Sequence, residues 1–186
     1  ATRDFVRPYF ELIHHVMEPE ALIPVRQVLD ELRRCLSKAQ PDAVTFSGSG
    51  EPTLHPQIDE VIAFIKERTA VQTAVLTNGS LLWREDVRAR ISGAHIVMPT
   101  LTTAYEETFK VIHRPHPTLH VAKIITGLKA FRKIYKGNLL LEVILLAGYN
   151  DNPRELEALR EVIRDIEPDR IQLNTVVRPP ADSKAV

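Results

Sequence analysis

Five short apolar runs, each approached through a stretch of helical period, constrain this chain more than any other feature. From Ile23 onward the two periods alternate, joined by brief connections rich in Gly, Pro, Asn and Asp. Val25 to Ser37 predicts a helix, followed by a strand over Ala43 to Ser47 whose unbroken apolar character suits a parallel strand covered on both faces. Pro56 suits a first helical position, and Ile58, Val61, Ile62 and Ile65 mark one face of a helix leading to the strand Val71 to Thr77. Ser80 can cap a helix through Ile91, and the strand Ala94 to Pro99 follows. Thr103 with Glu106 reads as a capping box for a short helix carrying Phe109 and Ile112, ended by Arg114-Pro115-His116-Pro117. Val121, Ile124, Ile125, Leu128 and Phe131 define a longer helix, and Gly137-Asn138 turns into the strand Leu139 to Leu146. Asn152 as cap, Pro153 at the first position and Glu155 completing a box precede a helix striped by Leu156, Leu159, Ile163 and Ile166. Ile171 to Thr175 is the last strand.

Strands separated by helices, with no antiparallel hairpin signal, predict an α/β domain with a parallel sheet. Periodicity alone leaves an open sheet and a partial barrel as alternatives. Both place ligands at the carboxyl ends of the strands, so chemistry is to be sought in the residues just after each strand. Residues 1–22 fit no βα unit and are expected to be an irregular segment before a core over 23–180 and a tail at 181–186. The length, 186 residues with 44% hydrophobic and 26% charged, suits one globular domain. Zero formal net charge and the lack of a Lys/Arg run give no basic footprint for nucleic acid. The apolar runs are too short to span a membrane and the first residues lack a signal-peptide layout, so a cytoplasmic setting is expected.

The first strand ends in Ser47-Gly48-Ser49-Gly50-Glu51-Pro52-Thr53. Two glycines let backbone amides approach a ligand, and a carboxylate beside them can accept hydrogen bonds from an ammonium group. The spacing is neither the dinucleotide fingerprint nor a phosphate-binding loop, and taken alone the segment is better explained as a plain flexible turn.

The stretch Thr45-Phe-Ser-Gly-Ser-Gly-Glu-Pro-Thr-Leu-His55 resembles the Gly-Gly-Glu-Pro motif of radical S-adenosylmethionine (SAM) proteins. Leu76-Thr-Asn-Gly-Ser80, Arg114-Pro-His-Pro117, Leu141-Glu-Val-Ile144 and Gln172-Leu-Asn-Thr175 before Arg178-Pro-Pro180 extend the likeness over roughly Pro24 to Pro180. The chain is thereby similar to stand-alone radical SAM iron–sulfur oxidoreductases related to the wybutosine-synthesis enzymes. The resemblance implies a partial (β/α)6 TIM-like barrel, the five strands being its second to sixth and the first missing or hidden near the start. It implies reductive cleavage of SAM to a 5′-deoxyadenosyl radical that abstracts hydrogen from a substrate, with an external electron donor such as a flavodoxin or ferredoxin. Kinship with a tRNA-modifying group suggests RNA by analogy alone.

By the same resemblance, Ser49, Gly50, Glu51 and Pro52 form the loop that holds SAM's amino group, and Asn78 and Ser80 line the cleft. Relatives carry Ser-Leu-Asp near the ribose where this chain has Thr100-Leu101-Thr102, so the carboxylate is lost there. Glu142 and Asn174 are candidate contacts to SAM or substrate. The family's 4Fe-4S cluster needs three cysteine thiolates spaced Cys-x3-Cys-x2-Cys. This chain has one cysteine, Cys35, placed by Val28, Leu29, Leu32 and Leu36 on a buried stripe, so no metal ligand is assigned and the cluster ligands are expected outside these residues. His113, His116 and His120 are interrupted by Pro115 and Pro117 and read as solvated turn residues rather than a metal site. His55 is a candidate grip on substrate. The alternatives are a non-catalytic SAM- or ligand-binding domain on this scaffold, or a (β/α) lyase or isomerase using Glu51 and Glu142 as acid and base.

Overall fold

The computed structural model describes residues 23–39, 41–47 and 50–175. Five strands among them form one sheet: β1 (Ala43–Phe46), β2 (Gln72–Thr77), β3 (Ile96–Leu101), β4 (Asn138–Leu145) and β5 (Arg170–Thr175). All neighbours run parallel, in the spatial order β1-β2-β3-β4-β5. Helices α1 (Val25–Leu36), α2 (Ile58–Arg68), α3 (Glu85–Ile91), α4 (Glu106–His113), α5 (Val121–Ile134) and α6 (Pro153–Ile166) precede and join them.

Spatial order that follows chain order decides between an open sheet and a barrel. A doubly wound sheet reverses its order at a switch point and carries helices on both faces. Here every crossover steps the same way, and crossovers of one hand then lay their helices on one face. Burial agrees. Val75, Val97, Leu139, Leu141 and Val143 share a core with Ile62, Ile91, Leu128, Phe131 and Ile166 of the helices. Leu76, Met98, Thr100, Glu142 and Ile144, which alternate with them on the opposite face, are half-buried. The fold is a partial TIM-like (β/α) barrel whose helices cover the outside of the central strands, with β5 exposed along its length, and whose inner face stays open.

Several local expectations are corrected. The helix expected from Ser80 begins at Glu85, and Ser80 is buried in the loop between β2 and α3. The helix expected at Pro56 begins at Ile58. Thr103 and Glu106 form no capping box: the Thr103 hydroxyl donates to Glu155 at 2.6 Å, and Glu106 accepts from the Val121 amide at 2.9 Å, at the start of the next helix. Asn152 does cap α6, accepting from the Glu155 amide at 3.2 Å, but the Glu155 carboxylate faces Thr103 and Thr108 instead of closing a box. Cys35 is exposed, because α1 packs through Val25, Val28, Leu29 and Leu32 and the contact ends a turn before it. Strand β1 is not covered on both faces: Ala43 and Thr45 are exposed and only Val44 and Phe46 meet the core.

One contact and one turn shape the strand ends. Tyr135, fully buried on Phe131, donates its hydroxyl to the Ala94 carbonyl at 3.0 Å, and burial followed by nearby Asp169 pushes its ionisation well above the ordinary tyrosine range. Gly79 has φ of 72°, a left-handed conformation that suits glycine in the tight turn leaving β2. No helix among the described residues is long and apolar enough to cross a membrane.

Candidate functional site

A cavity of about 560 Å³ opens on the inner face at the carboxyl ends of β2, β3 and β4. Its β1–β2 side is made by Ser47, Gly50, Thr77, Asn78 and Ser80; Leu76, Met98, Thr100, Glu142, Ile144 and Asn174 form the sheet side. Thr102, Thr103, Phe109, His113, Leu119 and Ile124 close the far end. Parallel strands end on one side of the sheet, which is why loops distant in sequence converge here.

Of the residues singled out by sequence, Gly50, Asn78, Ser80, Thr100, Thr102, Glu142 and Asn174 line this one cavity. Ser49 lies outside the described residues. Pro52 opens the one-turn 3-10 helix Pro52–Leu54 away from the lining.

Glu51 turns inward. It is 4% exposed and its Oε1 accepts from the Thr53 amide at 3.1 Å, the Thr53 hydroxyl at 2.6 Å and the Thr77 hydroxyl at 2.6 Å. Its Oε2 accepts from the Asn78 amide at 2.8 Å. Four donors satisfy the buried charge, so Glu51 ties the β1 loop to the end of β2. Below it, Asn78 Oδ1 accepts from the Ser80 amide at 2.9 Å, which orients the amide group. Asn78 Nδ2 and Ser80 Oγ are buried on this side with no hydrogen-bond partner among the described residues. Unpartnered buried polar atoms are costly, and such atoms beside a cavity mark where a ligand can complete the bonding.

Glu142 stands differently. It is half-buried, with Thr100 donating to Oε2 at 2.6 Å from the adjacent strand and Asn174 Nδ2 donating to Oε1 at 3.1 Å from the other side. Each oxygen keeps acceptor capacity toward the cavity. With only one of the two glutamates facing the cavity, the acid–base alternative lacks one of its members.

His113 is the residue that sequence reading set aside wrongly. It ends α4 with Nε2 2.6 Å from the Thr102 hydroxyl and its ring 5.0 Å from that of Phe109. Burial pushes its pKa down to about 4, so the imidazole is neutral near pH 7. Phe109, Ile112 and His113 have the spacing of one helical face, a signal that places the half-buried His113 beside the buried stripe rather than in the turn. Asn150, also unremarked in the sequence, is fully buried and donates to the Thr102 carbonyl at 2.6 Å and the Ile144 carbonyl at 2.8 Å, locking the ends of β3 and β4 together.

His55 is taken up elsewhere: its Nδ1 accepts from the Gln57 amide at 3.2 Å, which leaves Nε2 to donate to the Ile23 carbonyl at 3.1 Å. His120 pairs with Glu106 at 2.9 Å. No group of three His, Cys, Asp or Glu side chains among the described residues is arranged to hold a metal ion.

Known proteins share this architecture. The chain is 37% identical over 162 residues to a protein named GTPase Obg of Brachyspira hyodysenteriae, covering 87% of this chain and 24% of that protein. It is 33% identical over 147 residues to a UPF0026 protein of Methanocaldococcus jannaschii, covering 79% and 46%. The chain thus spans from about a quarter to about half the length of these curated relatives. Among solved structures, a domain of pyruvate-formate lyase-activating enzyme from Bacteroides vulgatus superposes with a TM-score of 0.59 at 18% identity, over 72% of this chain and 80% of that one. A radical SAM methyltransferase from Sphaerobacter thermophilus gives 0.56 at 16% identity, over 80% and 45%. These two likenesses establish the fold. Residues 9–163 match the model of the radical SAM superfamily, and on that match the chain belongs to this superfamily.

Proposed function

We propose that the cavity binds S-adenosylmethionine and that this chain is the SAM-binding core of a radical SAM oxidoreductase acting on a substrate that enters the same barrel mouth. The observation that carries this reading is the pair of buried, unpartnered polar atoms, Asn78 Nδ2 and Ser80 Oγ, beside the glycine loop. Asn78 Nδ2 can only donate, so it suits the carboxylate of SAM's methionine part; Ser80 Oγ can do either. The neighbouring backbone at Gly50 and Ser47 can approach the ammonium, while Glu51 holds that backbone in place from behind. Leu76, Met98 and Ile144 offer apolar surface for the adenosyl group, and the neutral His113 with Thr102 can hydrogen-bond a hydroxyl without adding charge.

With a 4Fe-4S cluster and one electron from a flavodoxin or ferredoxin, bound SAM would supply a 5′-deoxyadenosyl radical for hydrogen abstraction. The residues described here do not fit the cluster itself, since the chain's one cysteine is exposed on α1. What these residues can do is bind and orient SAM and exclude water from it.

Calorimetric titration with SAM tests the reading directly. The native chain should show saturable binding, and Ser80→Ala and Asn78→Ala should each weaken it by about threefold to tenfold, as expected for one lost hydrogen bond. No binding to the folded native chain, or unchanged affinity in both variants, would overturn it.

A further inference from the structure

We propose that Glu142 makes the cavity selective for a positively charged ligand centre, so that it discriminates between SAM, a sulfonium, and the neutral thioether S-adenosylhomocysteine. This rests on the SAM-binding reading and adds to it a specificity residue. Three observations point to it. Glu142 is the one carboxylate among the described residues lining the cavity, and no Lys or Arg is among them. His113, the other titratable lining residue, is held neutral by burial. The Glu142 carboxylate is clamped from both neighbouring strands by neutral donors, Thr100 and Asn174, which orient it without cancelling its charge.

A half-buried carboxylate with no counter-ion among the described residues sits in a medium of lower effective dielectric than water. Its unbalanced charge attracts a cation within a few ångströms far more strongly than an exposed carboxylate would, and gives no such gain to a neutral sulfur of the same shape. The adenosyl and methionyl parts offer the same hydrogen bonds and apolar contacts in both ligands, which differ only at sulfur, by one methyl group and one positive charge; sinefungin keeps the charge without that methyl group. Discrimination must then come from charge, and Glu142 is where the cavity holds it. The consequence is a site that releases a neutral thioether readily and retains the cationic cofactor.

The test compares three ligands on three proteins by calorimetry: SAM, its cationic amine analogue sinefungin, and S-adenosylhomocysteine, with the native chain, Glu142→Gln and Glu142→Asp. The native chain should prefer SAM and sinefungin over the thioether by about tenfold or more, with the preference shrinking as salt rises. Glu142→Gln should bring the three affinities within about threefold of one another, while Glu142→Asp should retain the preference because it keeps the charge. Thermal melts of the variants establish that each is folded. Should the native chain bind all three ligands alike, or Glu142→Gln keep the native ratio, the selectivity proposal fails and the SAM-binding reading stands. Should no adenosyl ligand bind the folded native chain, both fail.

Discussion

Glu51, on the β1 side of the cavity, commits both carboxylate oxygens to four protein donors and is 4% exposed, whereas Glu142, on β4, meets two donors and keeps one edge toward the cavity. The same side chain thus performs two tasks. A glutamate enclosed by donors is a structural tie whose charge is already satisfied. A glutamate held by neutral donors at a cavity wall is a charge presented to whatever binds. On the proposed reading, the number of donors around a carboxylate, more than its place in a glycine-rich motif, decides whether it can serve a ligand.

The strongest way to break this contrast is to remove the enclosed carboxylate. Glu51→Ala strands Thr53 N, Thr53 Oγ1, Thr77 Oγ1 and Asn78 N in a buried place and should cost about 3–5 kcal/mol in denaturant unfolding. Glu51→Gln should still cost about 2 kcal/mol, because the amide nitrogen must face a donor wherever it points. A glutamate that only decorates a flexible turn would tolerate the same change within about 0.5 kcal/mol. Unfolding free energies within that margin would show that the enclosure of Glu51 contributes nothing.

His113 sharpens the picture of a cavity whose charge comes from Glu142. Its pKa lies at about 4 in the folded protein because burial disfavours the imidazolium, against about 6.5 for an unfolded chain. The unfolded state therefore takes up a proton first as the pH falls. The stability tied to this group is fully present above about pH 6.5 and drains away as pH drops toward 4, by at most on the order of 3 kcal/mol. Thermal melts from pH 7.5 to 4.5 should fall more steeply for the native chain than for His113→Gln, which cannot titrate. Parallel curves would place the imidazole in solvent and return it to the turn that sequence reading assigned.

Gly127 tests whether the Asn78–Ser80 side is held as firmly as its buried bonding suggests. A Cβ added there would lie 2.4 Å from Trp83 N and 2.6 Å from the Leu82 carbonyl carbon, both backbone atoms of the loop that follows Ser80. Backbone cannot swing aside as a side-chain tip can. Gly127→Ala should cost about 2 kcal/mol and weaken SAM binding through the displaced loop, whereas Gly148→Ala, with nothing within 4 Å of the added atom but a φ of 75°, should cost only the backbone strain, about 1 kcal/mol. Equal losses at the two sites would mean that the loop gives way freely.

Much of the barrel is legible in the sequence. The stripes Ile58–Val61–Ile62–Ile65 and Val121–Ile124–Leu128–Phe131 are buried as their spacing requires, and the parallel strands follow from helices between short apolar runs. The choice of barrel over open sheet is legible only through the motif resemblance and not through periodicity, because it resides in spatial strand order, which no local period encodes. Cavity-lining residues at strand ends were found because parallel strands share one end. The orientation of Glu51 was missed because it depends on the Thr77 hydroxyl, 26 positions away, and Cys35 was misplaced because a helical stripe says nothing about where its partner surface stops. Glu155, taken for half of a capping box, instead meets Thr103 from 52 positions away. Local rules fail where a buried polar group finds a distant partner.

The smallest effect is expected at Thr100, one of a matched pair of threonines that each donate to one of the glutamates. Thr77 donates to Glu51 at 2.6 Å and also accepts from the Gly79 amide at 3.1 Å, both inside the protein. Thr100 donates to Glu142 at 2.6 Å at the half-buried cavity wall. Valine keeps nearly the same shape at either position and removes the hydroxyl. At Thr77 it leaves the Gly79 amide unpaired and Glu51 short of a donor where water cannot substitute, so the loss should be about 2 kcal/mol. At Thr100 the vacated Glu142 oxygen faces the cavity, where water can take up the bond, and the loss should be about 0.5–1 kcal/mol. The ligand readout should reverse the order: Thr100→Val frees a lone pair of Glu142 and should change the preference for SAM over S-adenosylhomocysteine, while Thr77→Val should leave that ratio untouched even as it lowers the melting temperature. If the two valines cost the same stability and neither moves the ratio, the two glutamates do not differ in kind, and the division between a structural carboxylate and a ligand-facing one would have to be abandoned.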